Sequence, residues 1–209
     1  MTPTTLLWLV TGCLMLQPLS TDLYLASLPS MASDFSVSPA AVQQTLSLFV
    51  FGFGSAQLIS GPLSDRYGRR PVLIGGLSVY LLAGLACALA PALDWLVVAR
   101  FVQAIGCCTA VVVVRAVIRD AYSPAEGARV LAKASSLLAL APIFGPILGG
   151  YLQVAFGWRA AFVALALAGL AVWIAALRHM KESNRQLNPD AMRLANLAGT
   201  YRDVVRTPA

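Results

Sequence analysis

Six long apolar runs, separated by short turns, dictate what this chain can become. Each holds roughly 20 residues, enough to cross a bilayer core of about 30 Å as a helix. The pattern predicts helices from about Thr5 to Leu28, stopped by Pro29, and from Ala41 to Leu63. Further helices are predicted over Val72 to Ala90, Trp95 to Ile118, Val130 to Val154 and Arg159 to Leu177. Only 11% of the 209 residues are charged, where a soluble domain carries about 25%. The expected class is an all-α integral membrane protein, with a six-helix transmembrane bundle over 1–180 and a polar segment over 181–209.

The charges are segregated. The turn after helix two, the stretch from Arg115 to Lys133 around the junction of helices four and five, and the tail after helix six hold thirteen of the fifteen lysines and arginines. The turns at 29–40 and 92–94 hold none. Such a bias marks the cytoplasmic side, so both termini are expected there. This placement explains the net charge of +6 by the inner leaflet and argues against a nucleic-acid partner. Cys13, Cys87, Cys107 and Cys108 all fall inside apolar runs without metal-ligand spacing, so neither a metal site nor a disulfide framework is indicated. No basic region precedes the first apolar run, which speaks against a cleavable signal.

Between helices two and three stands Gly61-Pro-Leu-Ser-Asp-Arg-Tyr-Gly-Arg-Arg70. It reads as one short turn carrying Asp65, Arg66, Arg69 and Arg70. Gly61 and Gly68 permit close approach or a positive φ, and Pro71 opens the next helix.

Asp22 lies in helix one, where an ionised carboxylate costs at least about 2.5 kcal/mol unless paired or hydrated. A group that exchanges protons and a carboxylate that snorkels or caps both fit. Arg100 in helix four lies at similar depth, about 7.5 Å below the outer surface against about 9 Å for Asp22. Both sit in the leading helix of a three-helix unit, and the two units run in opposite directions, as in an inverted repeat. The expectation is a pair, or two walls of one polar cavity. Gln103 shares a face with Arg100. Pro142 and Pro146 are expected to kink helix five, and Gly145 and Gly149 to form a small-residue face for a neighbouring helix. Tyr24, Phe49, Phe51 and Phe53 fit either packing or a pocket for a greasy substrate. Trp8, Trp95 and Trp158 fall near helix ends, where an interface favours indole rings.

Four stretches together resemble the drug:proton antiporters of the major facilitator superfamily, in particular the Bcr/CflA subfamily. They are Gln17 to Tyr24, Gly61 to Pro71, Arg100-x-x-Gln103-x-x-Gly106 with Arg115 and Arg119-Asp120, and Gly145-Pro146-x-x-Gly149-Gly150. The resemblance implies the N-terminal half of a twelve-helix fold, in two three-helix inverted repeats. It implies a transporter rather than an enzyme, exporting small hydrophobic or amphiphilic drug-like compounds across a bacterial inner membrane. No cofactor is implied, the proton gradient being the energy source. Asp22 and Arg100 would couple protons. Gly61, Asp65, Arg66, Gly68, Arg69, Arg70 and Arg115 would form a cytoplasmic latch. Pro142, Gly145, Pro146, Gly149 and Gly150 would meet the other half. Tyr24, Gln103, Phe49 and Phe53 would line the substrate cavity. Ala26 and Ala141 depart from the subfamily pattern. The segment 181–209 reads as a linker toward an absent second half, supplied by further chain or a second copy. A different solute transporter of the superfamily, or an inactive membrane fragment, is the alternative. Within that tail, Asn188-Pro189-Asp190 reads as the start of a surface helix with Met192, Leu194, Leu197, Tyr201 and Val205 as its apolar face, or as a solvated linker.

Overall fold

The computed structural model describes residues 3–184 and 186–192. These form α1 (Pro3–Asp22), a 3₁₀ turn (Leu25–Ser27), α2 (Leu28–Asp34), α3 (Pro39–Tyr67) and α4 (Arg69–Ala88), then α5 (Leu93–Ala121), α6 (Pro124–Leu138), α7 (Ala141–Phe156) and α8 (Arg159–His179). Among the described residues these make six spans long and apolar enough to cross a membrane, the first and fifth each built from two helices.

Local chemistry sets the boundaries. Ser38 caps α3 by accepting from the N–H of Ala41, with Pro39 in the first turn. Ser123 and Glu126 form a reciprocal capping box on α6, again followed by a proline. Gly68, at φ +98°, separates α3 from α4, and Gly157, at φ +79°, ends α7.

α5 is the most buried span and packs against α1, α3 and α4. In lipid, tails are as apolar as leucine, so helices associate through close packing rather than water exclusion. Gly106 of α5 shows this: a Cβ there would lie 2.5 Å from the backbone N of Tyr80 and 2.6 Å from the carbonyl of Gly76. One apolar cluster joins Leu6, Val10, Leu73, Leu77, Val113 and Met180 at the end of the bundle that carries the α3–α4 hairpin. A second joins Tyr24, Met31, Val42, Leu96, Trp158 and Phe162 toward the opposite end.

Several expectations are corrected. The first span does not stop at Pro29. That proline sits in the first turn of α2, where its missing N–H is harmless, and the helix runs on to Asp34. The fifth span starts at Pro124 and breaks at Ala139–Leu140, so Pro142 opens α7 and only Pro146 lies inside it. The charged block is not a loop. Asp65 and Arg66 end α3, Arg69 and Arg70 begin α4, and one glycine lies between. Gly61 is helical with open space where a Cβ would stand, so nothing there requires glycine. Trp158 is buried, its Nε1 donating to Asp34 at 2.8 Å, whereas Trp8 and Trp95 are exposed as expected. In the tail, the Ala191 N–H closes a turn onto the Asn188 carbonyl; Leu194, Leu197, Tyr201 and Val205 lie outside the described residues.

Candidate functional site

The first span stops being helical where its chemistry begins. The last regular bond of α1 runs from Leu23 N to Leu19 O, and the next backbone bond is the 3₁₀ contact from Ser27 N to Tyr24 O. This frees the Ser20 carbonyl, which accepts from Arg100 Nη2 at 2.8 Å. Arg100 Nη1 donates to Gln103 Oε1, also at 2.8 Å. The guanidinium lies 4.2 Å from the Phe49 ring centroid, 4.5 Å from Tyr24 and 5.7 Å from Phe162. Its Nε has no hydrogen-bond partner among the described residues.

Arg100 is fully buried, and among the described residues no carboxylate pairs with it. A lone arginine at membrane depth costs about 2.5–3.5 kcal/mol even on insertion scales. Three things offset this. Two are its hydrogen bonds and the desolvated ring faces, worth about 2 kcal/mol for a good cation–π contact. The third is the C-terminal end of α1, whose partial negative charge faces the guanidinium. A second polar contact steadies the same point: the hydroxyls of Ser20 and Tyr80 lie 2.8 Å apart, buried between α1 and α4. Sequence reasoning missed Ser20 and Tyr80, since neither type stands out in an apolar run.

Asp22 is not part of this contact. It is partly buried, accepts from Thr21 Oγ1 at 3.0 Å, and presents its Cβ to α7, where a Cβ on Gly145 would come within 2.9 Å. The expected Asp22–Arg100 pair is therefore not formed. Arg100 holds the carbonyl of Ser20, two residues before Asp22 on the same helix, and the two side chains face different neighbours. The small-residue face is formed as expected: Gly145 and Gly149 press on the break, and a Cβ on Gly149 would collide with the Leu23 carbonyl. Gly150 meets open space, and Pro142 and Pro146 are exposed.

The four residues expected to line a substrate cavity are placed as follows. Tyr24 and Phe49 are buried, with faces already taken by Arg100. Gln103 is buried against Arg100, and Phe53 packs on the core. Grooves of about 390, 280 and 220 Å³ open elsewhere on the bundle, and none is lined by these four residues.

At the hairpin, Arg69 is buried and joins three helix ends. Its Nη1 meets Asp65 Oδ1 at 2.6 Å, and its Nε meets Asp120 Oδ2 of α5 at 3.0 Å. Arg70 donates to the Leu177 carbonyl of α8 at 3.3 Å, and Arg66 lies over Tyr67. Arg115 is exposed and takes no part in the ion pairs of the described residues, contrary to its expected place in the latch.

A bundle of six apolar spans, with a buried arginine of the fourth span bound at the break in the first and a charged hairpin at one end, is a multi-pass helical membrane protein. The Major Facilitator Superfamily profile matches residues 10–209, and the chain belongs to that family. It is 33% identical over 177 residues to Multidrug resistance protein MdtL of Escherichia coli O9:H4 (strain HS), covering 85% of this chain and 45% of that protein. MdtL of Escherichia coli K12 (DH10B) is 32% identical over 169 residues, covering 81% and 43%. Among solved structures, the human organic anion transporter MFSD10 (TETRAN) superposes with a TM-score of 0.72 at 18% identity, over 95% of this chain and 53% of that one. A D-xylose-proton symporter gives a TM-score of 0.72 at 18% identity, over 97% and 53%. The chain thus spans about half the length of the relatives it matches, and the structures establish a shared fold.

Proposed function

We propose that this chain is the N-terminal six-helix half of a proton-coupled exporter of small hydrophobic or amphiphilic compounds, a drug:proton antiporter of the Bcr/CflA type. It lies in a bacterial inner membrane with both ends of the bundle's chain cytoplasmic. The observation that carries the reading is the broken first span. Irregular backbone at membrane depth persists only where it is buried in protein or lines a wet cavity. Here the break carries a partly buried carboxylate, Asp22, on one side and a buried, fixed guanidinium, Arg100, on the other. A proton on Asp22 would change the charge beside Gly145, where α1 and α7 pack closely. That lets the packing of two spans follow the proton. The similarity to MdtL supports drug export.

The least covered spans are α3 and the α6–α7 pair. Their exposed Phe51, Leu58, Ile59, Phe144 and Ile147 suit a face covered by a second six-helix half, from further chain or a second copy. The hairpin, centred on Arg69 between Asp65 and Asp120, is the cytoplasmic latch that holds helix ends together in one phase of the cycle.

The test is export from cells lacking their own pumps. The chain is expressed alone and fused to the C-terminal half of an MdtL-type relative. The fusion is expected to raise resistance to lipophilic cations and to acidify vesicles less when substrate is added. Asp22→Asn should abolish both effects. Export that persists in Asp22→Asn would remove the coupling role. Uptake of a solute in place of efflux would move the chain to another branch of the family.

A further inference from the structure

The segment after α8 lies across the hairpin. Glu182 Oε1 accepts from the backbone N of Arg69 at 2.9 Å, and Oε2 accepts from the backbone N of Arg70 at 3.0 Å. These N–H groups belong to the first turn of α4, which has no intrahelical partner for them and no cap from its own chain neighbourhood. Glu182 thus supplies a helix cap from more than a hundred residues away. The N–H groups of Ser183 and Asn184 close on the same carboxylate, fixing its orientation. The following residues tie the other two helix ends. Ser183 Oγ donates to Asp120 at 3.0 Å, and Asn184 Nδ2 and the Asn188 N–H both donate to the Asp65 carbonyl. Asp65 and Asp120 are the two carboxylates that Arg69 bridges.

We propose that Glu182 is the positioning residue of the hairpin, and that Glu182, Ser183, Asn184 and Asn188 form a strap holding the ends of α3, α4 and α5 in one arrangement. Gly68 is the receiving site for that strap. A Cβ on Gly68 would lie 2.6 Å from the Glu182 carboxylate and would push it out of place, besides straining a backbone at φ +98°. The contacts are polar, with Glu182 exposed and Ser183 and Asn184 half-buried. A joint of this kind opens and closes as a unit when one charged member is lost. The strap joins the end of the sixth span to the hairpin of the second and third, so motion of α8 reaches Arg69 directly. The restraint stands whether or not the hairpin serves as a transport latch. Only its consequence for export rests on that reading.

The experiment reads the restraint without transport. Ser64 is buried beneath Arg69, whose Nη1 donates to its hydroxyl. A Ser64→Cys reporter in the full chain, in open membrane fragments, is labelled with a water-soluble maleimide. The four native cysteines are buried and report global unfolding. Glu182→Ala is expected to speed labelling of the reporter about tenfold, the change expected for loss of a charge-assisted hydrogen bond. Glu182→Gln, which keeps one acceptor oxygen, should fall between. Gly68→Ala keeps the carboxylate but fills its seat, and should match Glu182→Ala. That variant carries the test if Glu182→Ala fails to accumulate. Unchanged reporter labelling in both variants overturns the proposal. So does labelling that rises only in step with the native cysteines.

Discussion

Arg100 holds the carbonyl of Ser20 at 2.8 Å across the gap between the fourth span and the first. The bond exists because α1 ends two residues later and leaves that carbonyl without a helical donor. The break and the arginine therefore explain one another. The break gives the guanidinium an acceptor in an apolar interior, and the guanidinium gives the break a donor.

The first prediction tests that dependence. Arg100→Lys keeps the charge but replaces a planar fork with a single ammonium, which cannot reach Ser20 and Gln103 together while lying flat on Phe49 and Tyr24. Arg100→Gln removes the charge and leaves buried polar groups unsatisfied at about 1–3 kcal/mol each. Both variants should lower the thermal midpoint of the purified protein in detergent. A lysine variant as stable as the parent would mean that charge alone, without the fork, holds the break.

The second prediction separates two adjacent glycines of α7. A methyl on Gly149 must displace the Leu23 carbonyl, and overpacking of this kind costs about 1–3 kcal/mol. A methyl on Gly150 meets open space and should stabilise the helix by up to about 1 kcal/mol. Thermal unfolding of Gly149→Ala and Gly150→Ala should therefore move in opposite directions. Equal shifts would show that α7 does not press on the break.

The contrast between these glycines marks what the sequence makes legible. The six spans follow from apolar run length alone, and the glycine face of helix five follows from its four-residue spacing. Which glycine of the Gly149-Gly150 pair is crowded does not, because that depends on where α1 stops. The stop itself is hidden. Leu19 to Leu28 contains no glycine, and Pro29, the evident breaker, turns out to start a helix. The Asp22–Arg100 pairing fails for a related reason. Depth along a span is readable from residue count, but azimuth around a span that breaks is not. The role of Glu182 is invisible for another reason: its partners are backbone N–H groups, which leave no mark in the residue types facing it.

A third prediction concerns the hairpin. Arg69→Gln leaves Asp65 and Asp120 facing one another without the guanidinium between them. Both carboxylates are partly exposed, so the loss should be modest, roughly 1 kcal/mol per pair. Arg115→Gln should change stability by less than about 0.5 kcal/mol, since its side chain is exposed and outside the ion pairs. Chemical denaturation of the two variants side by side checks the order. An Arg115 effect as large as that of Arg69 would restore Arg115 to the latch.

The last prediction is a pH dependence at Glu182. Partial burial alone would raise its carboxyl. The backbone N–H groups of Asn184, Arg69, Arg70 and Ser183 together outweigh that and hold it below its ordinary value of 4.5. A carboxylate depressed in the folded state adds stability that is fully present above its unfolded pKa. That stability is lost as pH falls through the folded pKa. The charged groups around it, Arg69 and Arg70 on α4, Asp65 on α3 and Asp120 on α5, are shared by the parent and by Glu182→Gln. The difference in thermal midpoint between the two proteins therefore isolates Glu182. It should be constant from neutral pH down to about 5 and shrink as the solution is acidified below 4.5. A difference that stays constant to the lowest pH at which the parent remains folded would mean that the carboxylate is not held by those N–H groups. A difference that instead appears only on acidification would reverse the sign of the linkage and assign the stabilisation to the protonated acid.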